Sequence, residues 1–291
     1  MNILNQPPLA NHHWLCPACQ QSLTFQQSNW RCAQGHSFDR AKEGYVNLLL
    51  AQHKNSKAPG DNNDMVLARR AFLQQDHYLP LATRLAKLLQ QHLTESGPQG
   101  QALGLFDAGC GEGYYLGKIV PMLAASGVSI SASGIDISKP AIQKAARQYK
   151  QHHFAVASTY QLPLATGSQA AVLQIFAPAS SAEIHRVLSD NGVWLSVNPA
   201  PGHLFELKAM VYDTPQSHSI NHSDEAGFSL VEQVRLSFEI NLQAPEQRRN
   251  LLLMTPFYWS ISEQKKQLLM AGLLTVSADF DIKVWRKNAP Y

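Results

Sequence analysis

A predicted strand that runs into a glycine-rich turn and then into a helix constrains this chain more than any other feature. The strand pattern covers residues 102–106, the turn reads Asp-Ala-Gly-Cys-Gly-Glu-Gly at 107–113, and the helix pattern covers 114–125. Glycines at such a turn let the backbone pass close beneath a ligand and leave amide groups facing it. The arrangement predicts an open α/β sheet that binds a ligand at the carboxyl ends of its strands.

Strand and helix patterns keep alternating after this turn. The next elements are predicted as strands at 129–135, 154–157, 171–176 and 193–197 and helices at 139–149 and 181–188. The later elements are predicted as a helix at 203–213, strands at 228–242 and 273–286, and a helix at 260–271. Two further helices precede the turn, one capped by Asp64 and ending at Gln75, the other at 79–93. This alternation predicts an α/β fold with a doubly wound, mostly parallel sheet.

Three cysteines and a histidine near the N-terminus have the spacing of a metal site. Cys16, Cys19, Cys32 and His36 form the pattern Cys-x2-Cys-x12-Cys-x3-His. Three thiolates and one imidazole complete a tetrahedral zinc site with no open position, so the Zn²⁺ is predicted to be structural. A disulfide or free thiols are the alternatives, and an odd thiol beside a well-spaced histidine fits a disulfide poorly in a cytosolic chain.

Length and composition limit the organisation of the chain. Its 291 residues, 45% hydrophobic and with a formal net charge of +3, suggest a globular protein of two domains or one domain with a module attached. We predict a zinc-binding ribbon at 1–50, a linker and helical segment at 51–100, and the α/β domain at 101–291. No window resembles a membrane span or a signal peptide, which predicts a cytoplasmic protein without a membrane partner.

The net charge is concentrated at one end of the chain. Residues 1–60 contain five basic and two acidic groups, whereas residues 61–291 contain 19 of each. A local basic excess indicates a nucleic-acid partner, although a solvated surface is the simpler alternative. The basic residues concerned are Arg31, Arg40, Lys42, Lys54 and Lys57.

The glycine spacing discriminates between ligands. A dinucleotide site needs Gly-x-Gly-x-x-Gly, and that pattern fails here from both Gly109 and Gly111. The spacing Asp-x-Gly-x-Gly-x-Gly instead matches the S-adenosylmethionine (SAM) loop of class I methyltransferases. Asp136, at the end of the next predicted strand, would accept the ribose hydroxyls. Alternatively, Asp107 caps the loop and Asp136 caps the helix that begins near Ser138.

The end of the fourth predicted strand reads Gln-Ile-Phe-Ala-Pro at 174–178. Enzymes that methylate exocyclic adenine amines tend to carry an Asn or Asp followed by two prolines and an aromatic residue at this point. The absence of that pattern argues against such an acceptor. The segment also contains no general base, so no catalytic residue is predicted.

Nearly the whole chain resembles the bacterial 23S rRNA guanine-N1 methyltransferases of the RlmA type. The matching segments are the four zinc ligands and residues 38–49, 52–54, 59–61, 68–73, 77–78, 107–115 and 254–257. The stretches near 40–61 are more similar to the enzymes that act at guanine 745 than to the macrolide-resistance branch. The resemblance implies a SAM-dependent enzyme that methylates N1 of a guanine in a hairpin loop of 23S rRNA.

The resemblance also implies particular contacts. The cofactor contacts carried over from the family fall on Tyr78, Gly111, Glu112 and His203, and the class I pattern adds Asp107, Gly109 and Asp136. Tyr78 could instead be a packing residue, and His203 could instead cap the next helix. A homodimer is possible. The competing functions are methylation of a small molecule or a protein, and a non-catalytic assembly factor that binds rRNA.

Overall fold

The computed structural model describes residues 14–50, 60–93, 102–219, 224–259 and 261–288. Within them, the strands are β1 (Thr24–Gln26), β2 (Asn29–Arg31), β3 (Ser37–Asp39), β4 (Val46–Asn47), β5 (Leu103–Ala108), β6 (Ile130–Asp136), β7 (His153–Val156), β8 (Gln169–Ile175), β9 (Leu188–Pro199), β10 (Phe228–Asn241) and β11 (Thr275–Lys287). The helices are α1 (Asn63–Leu73), α2 (Leu79–Leu93), α3 (Tyr114–Ala125), α4 (Lys139–Gln148), α5 (Ser181–Val187), α6 (Phe205–Val211), α7 (Pro245–Leu253) and α8 (Glu263–Gly272). A short 3₁₀ helix covers Pro256–Trp259.

The main sheet has eight strands in the order β10-β11-β9-β8-β5-β6-β7-β4. The strands from β9 to β4 along this order are parallel, and β11 and β10 are added antiparallel beyond β9. The predicted mostly parallel sheet is therefore confirmed. The chain passes from β5 through β6 to β7 and then returns to the other side of β5 as β8, so the order of the strands reverses between β5 and β8. Ligands of open α/β sheets bind at this switch point.

Alternating residues of the buried strands pack on opposite faces of the sheet. Leu105 belongs to a core that includes buried side chains of α2, α3 and α4, whereas Phe106 belongs to a second core with Ile184 and Val187 of α5. Both cores consist of large aliphatic and aromatic side chains, and burial of that apolar surface is the main force that holds the layers together.

The N-terminal ribbon covers part of the second face. Its three short strands form the antiparallel sheet β1-β2-β3, and its Trp14, Leu23 and Trp30 are buried in the core that contains Phe106. The Leu15 N–H donates to the Pro163 carbonyl at 2.9 Å, which ties the ribbon to the α/β domain. The division at residues 50 and 100 stays a prediction, but β4 lies inside the first predicted segment and forms the edge of the main sheet.

Two helices differ from the sequence-based expectations. The first helix is capped by Asn62, whose Oδ1 accepts the Met65 N–H at 3.0 Å, so Asp64 lies inside the first turn and is not the cap. Helix α7 was not predicted, because its sequence places Arg248 and Asn250 among the buried positions and lacks a regular apolar stripe. None of the helices in the described ranges combines the length and hydrophobicity that a transmembrane segment requires.

Candidate active site and metal centre

The structure brings all four predicted zinc ligands together in the ribbon. Cys16 and Cys19 lie in the turn before β1, Cys32 follows β2, and His36 precedes β3. Their ligand atoms all lie within 4.8 Å of one another. The Cys19 and Cys32 sulfurs are 3.6 Å apart, and the Cys32 sulfur is 3.3 Å from His36 Nδ1.

These separations fit a tetrahedral zinc ion. Zinc–sulfur bonds of about 2.3 Å place tetrahedral sulfurs about 3.8 Å apart, close to the observed spacing. None of the four cysteines forms a disulfide, so the disulfide alternative is not realised. With four protein ligands the site has no open position, which makes it a structural centre that stabilises the ribbon.

A cavity of about 420 Å³ opens at the carboxyl ends of β5, β6 and β8, at the switch point of the sheet. Six of the seven predicted cofactor residues line it, namely Tyr78, Gly109, Gly111, Glu112, Asp136 and His203. The seventh, Asp107, is fully buried at the end of β5 just before the glycine turn. The glycine pattern and the family resemblance together therefore located residues of one cavity in segments that are far apart in the chain.

Glycine occupies positions 109 and 111 of the turn for two different structural reasons. Gly109 has φ +93°, and a Cβ there would lie 2.3 Å from the Cβ of Ala177 at the end of β8, so only glycine permits this close approach of two strand ends. Gly111 has φ +55°, and nothing lies within 4 Å of the place where its Cβ would be. The bare backbone of Gly111 leaves this part of the cavity open for a ligand.

Asp136 organises the turn and keeps capacity for a ligand. Its Oδ2 accepts the Gly111 N–H at 3.0 Å and its Oδ1 accepts the Ser138 N–H at 2.7 Å. The cap of α4 is Ser138, whose hydroxyl accepts the Ala141 N–H, so Asp136 is not the cap. Each carboxylate oxygen has a second lone pair. Asp136 can therefore accept ribose hydroxyls without releasing the backbone.

Asp107 does not cap the loop, because neither of its oxygens accepts a hydrogen bond within the described part of the protein. Burial, with the nearby charges of Asp136 and Glu112, raises the pKa of Asp107 to about 8. The Tyr78 hydroxyl, also buried, is likewise without a partner in the described residues. Unsatisfied buried polar groups beside a cavity indicate that the cavity binds a ligand. SAM has a positive ammonium and sulfonium, which match the Asp107 carboxyl, and a carboxylate, which matches the Tyr78 hydroxyl.

His203 lies in an aromatic cluster that lines the cavity. Its ring stacks on Phe176 with centroids 6.1 Å apart and lies 6.4 Å from the Tyr78 ring. Burial, with the nearby positive charges of His218 and Lys208, lowers the pKa of His203 to about 3, so the imidazole is neutral. Its Nδ1 accepts the Asp279 N–H at 3.3 Å. The proton of the neutral ring therefore lies on Nε2, which can only donate.

The cavity also contains residues that the sequence did not single out as functional. Arg69 of α1 forms an ion pair with Asp61, and both line the cavity. Tyr160 lines it too and is 64% exposed. The segments of Asp61 and Arg69 were noted only for their resemblance to the family. The local sequence of these segments contains no pattern that indicates that they lie beside the glycine turn.

The predicted RNA-binding residues have different surroundings. Arg31 and Lys42 are exposed in the ribbon, whereas Arg40 is partly buried, donates to the Gly44 carbonyl and lies over the Phe25 ring. Lys54 and Lys57 lie outside the described residues. The ribbon tryptophans, Trp14 and Trp30, are buried and thus not available as stacking surfaces.

Comparison with known proteins agrees with this site. Residues 14–57 match the family model "RlmA, N-terminal", and residues 105–192 match a methyltransferase domain model. A 23S rRNA (guanine(748)-N(1))-methyltransferase of Streptomyces fradiae is 38% identical over 66% of this chain. The aligned part spans 65% of that relative, which is just under two thirds of its length. Putative 23S rRNA (guanine-N(1)-)-methyltransferases of Micromonospora griseorubida and Bacillus subtilis are 36% and 30% identical, over 67% and 94% of this chain and 68% and 96% of those proteins.

The glycine turn at the switch point and the matched domain define the class, a SAM-dependent methyltransferase with an N-terminal zinc ribbon. Within that class, the chain belongs to the family of 23S rRNA (guanine-N1)-methyltransferases, since its similarity to the Bacillus relative extends over nearly both whole chains. The family resemblance, the fold class and the enzyme class predicted from the sequence are thereby confirmed. So are the two predicted cofactors, SAM and structural zinc.

Proposed function

We propose that this protein methylates N1 of a guanine in a hairpin loop of 23S rRNA, at position 745, in the bacterial cytoplasm. The observation that carries the proposal is the cavity at the switch point, which joins the glycine turn to the exposed ring of Phe176 at the end of β8. One end fits the cofactor, and the other offers an aromatic surface for an unpaired base. The family membership supplies the substrate class.

Gly109, Gly111, Glu112 and Asp136 line the cofactor end, with Asp107 buried just before the glycine turn, and Tyr78 and His203 line the same cavity. SAM, when bound there, supplies a methyl group already activated by its sulfonium. Asp136 would accept the ribose hydroxyls, and the buried carboxyl of Asp107 would face the positive groups. The chain's contribution is to hold the cofactor in one orientation and to exclude water.

The acceptor end is suited to a flipped purine. Guanine N1 lies on the base-pairing edge, so the target has to leave its stack before it can react. Phe176 is 40% exposed and has φ +56°, a left-handed conformation that is strained for a bulky residue and often marks a functional position. We propose that the target base stacks on Phe176, with Tyr160 on the same lining.

Proton removal from N1 is not assigned to a side chain. His203 is neutral with its proton on Nε2, so it can donate to the base but cannot accept the N1 proton. Apart from His203, the described lining residues nearest the acceptor end, 158–160 and 175–178, include no carboxylate or imidazole. Orientation, stacking and the hydrogen bond from His203 are therefore the contributions proposed for the acceptor end.

We further propose that the ribbon holds the RNA through Arg31 and Lys42, with Arg40 ordering the turn that carries Lys42, and that Lys54 and Lys57 contribute from the linker. Positive side chains on a rigid, zinc-stabilised module fit the phosphate contacts that position an RNA. A homodimer would present two such surfaces, and sedimentation of the protein with and without RNA tests that arrangement.

The proposal is tested by mapping methyl groups on 23S rRNA from a strain that lacks this modification. Incubation with the protein and SAM is expected to add one methyl to guanine 745 and to block reverse transcription there. A gain at the neighbouring position 748 would retain the reaction and overturn the site. No gain on naked rRNA or on ribosomal particles, with SAM binding intact, would overturn the proposed substrate.

A further inference from the structure

Helix α4 and the turn that follows it present a basic surface beside the cavity. Lys139, Arg147 and Lys150 are exposed and Lys144 is partly exposed, while the buried side of the helix consists of Ala141, Ile142, Ala145 and Ala146. The remaining solvent-facing positions of the helix are Pro140, Gln143 and Gln148, and the sequence contains no acidic residue between Asp136 and Glu183. Because residues 61–291 contain equal numbers of basic and acidic residues, their overall charge does not reveal this local excess of basic residues.

The lysines of this surface differ in their partners from lysines on other helices. Within the described ranges, Lys139, Lys144 and Lys150 form no ion pair. By contrast, Lys118 of α3 pairs with Asp76 at 2.7 Å, and Lys266 of α8 pairs with Glu263 at 2.7 Å. Cations left without counter-charges are free to bind an external anion.

The surface is continuous with the rim of the cavity at one end. Ser138 caps α4, and its hydroxyl donates to the Asp61 carbonyl at 2.7 Å. Asp61 and Ile137 both line the cavity, so Lys139 stands next to its edge. At 1.5 Å per residue, the positive charges then extend about 12 Å along the helix axis from Lys139 to Arg147.

At its other end the surface meets the ribbon. Arg147 donates to Glu43 at 2.7 Å, and Glu43 follows the exposed Lys42 in the turn between β3 and β4. Arg70 of α1 donates to Gln148 at 2.9 Å and adds a further positive charge beside the helix. One basic surface, which we call the α4 surface, is thus formed by Lys42, Lys139, Lys144, Arg147 and Lys150.

We propose that the α4 surface binds the phosphate backbone of the RNA stem while the target base enters the cavity. The inference rests on the proposed function and extends it to residues of the methyltransferase domain. The surface consists mainly of basic residues and glutamines and has no apolar centre. Such a surface suits the phosphate backbone of RNA, since phosphate contacts position a nucleic acid by charge without reading its sequence. The row of cations leads from the ribbon to the cavity rim, which gives the stem a defined direction.

The test is a triple variant, Lys139→Gln, Lys144→Gln and Lys150→Gln, with binding of a 23S rRNA hairpin fragment measured at several salt concentrations. Loss of three phosphate contacts should lower the slope of log K against log salt by about 2 to 3 and weaken binding by about tenfold or more at physiological salt. The KM for RNA should rise accordingly, while kcat at saturating RNA and the Kd for SAM should stay within twofold of the wild type.

A second triple variant, Lys87→Gln, Arg249→Gln and Lys266→Gln, removes the same net charge elsewhere, from the exposed Lys87 and Arg249 and from Lys266, which is partly buried and ion-paired, and should leave the salt slope unchanged. An unchanged slope in the α4 variant, or an equal loss in this control, would overturn the inference. Failure of the wild-type protein itself to bind or methylate the fragment would instead overturn the proposed function, so the two failures are distinguishable.

Discussion

The backbone N–H of Asp279 donates to Nδ1 of His203 at 3.3 Å, while the Asp279 carboxylate accepts the N–H of Gly202 at 2.9 Å. This buried residue of β11 therefore fixes both the position of the loop that carries His203 and the tautomer of its ring. The same carboxylate pairs with the half-exposed Arg235, which lowers the pKa of Asp279 and keeps it ionised. A strand outside the parallel part of the sheet thus orients one wall of the cavity.

Replacing Asp279 with Ala is expected to weaken SAM binding by roughly tenfold, because the charge-assisted anchor of Gly202 is lost and the loop loosens. Isothermal titration with SAM measures this effect. The matched control is Arg235→Gln, which removes the ion pair but keeps the Gly202 anchor, and it should change the affinity by less than about threefold. Equal losses in the two variants would assign the effect to the ion pair and not to the loop.

Replacing Asp107 with Asn is expected to stabilise the protein without ligand while weakening SAM binding. Because burial raises the folded-state pKa to about 8, above the usual 3.8, this group's contribution to stability is fully present below pH 3.8 and is lost as the pH rises through 8. The side-chain amide of the variant does not ionise, so the variant does not lose stability as the pH rises. Urea unfolding at pH 7.5 should show a gain of up to about 5 kcal/mol, since each pH unit between 3.8 and 7.5 costs the ionisable side chain about 1.4 kcal/mol.

The same carboxyl gives SAM binding a pH dependence. A positively charged ligand favours the ionised form, so the wild-type affinity should rise between pH 6.5 and 8.5, and the Asp107→Asn variant should lack this rise. Titrations at matched ionic strength test it. Wild-type and variant affinities that change in parallel with pH would show that Asp107 is not the titrating group.

Much of the cavity was predictable because its signals are local. The glycine turn, Asp136 and the bounds of α3 follow from short patterns, and α3 covers Tyr114–Ala125 as expected. The pairing of β4 with β7 was not predictable, because two residues carry no periodicity and the partner strand is far away in sequence. The ion pair of Arg69 with Asp61 and the left-handed backbone of Phe176 likewise depend on tertiary packing, which no local pattern encodes.

Removal of the Phe176 ring is expected to lower kcat/KM for RNA by about tenfold or more, because stacking of a base on an aromatic ring contributes about 1–3 kcal/mol. Phe176→Gly also relieves the strain of a positive φ, whereas Phe176→Ala keeps it. Both variants should lose activity to a similar extent, and Phe176→Tyr should retain it. Recovery in the glycine variant alone would show that backbone geometry, and not stacking, limits the reaction.

Loss of the metal centre is expected to abolish RNA methylation before it affects SAM binding. Cys32→Ser removes one of four ligands, so the ribbon loses the zinc that stabilises it and releases Trp14 and Trp30 from the second core of the sheet. Tryptophan fluorescence should shift to the red, zinc content should fall, and the Kd for SAM should change by less than about threefold, because the residues that line the cavity lie outside the ribbon. Chelation of zinc from the wild type should reproduce the loss, and full RNA methylation by the zinc-free protein would contradict a role for the ribbon in holding the substrate.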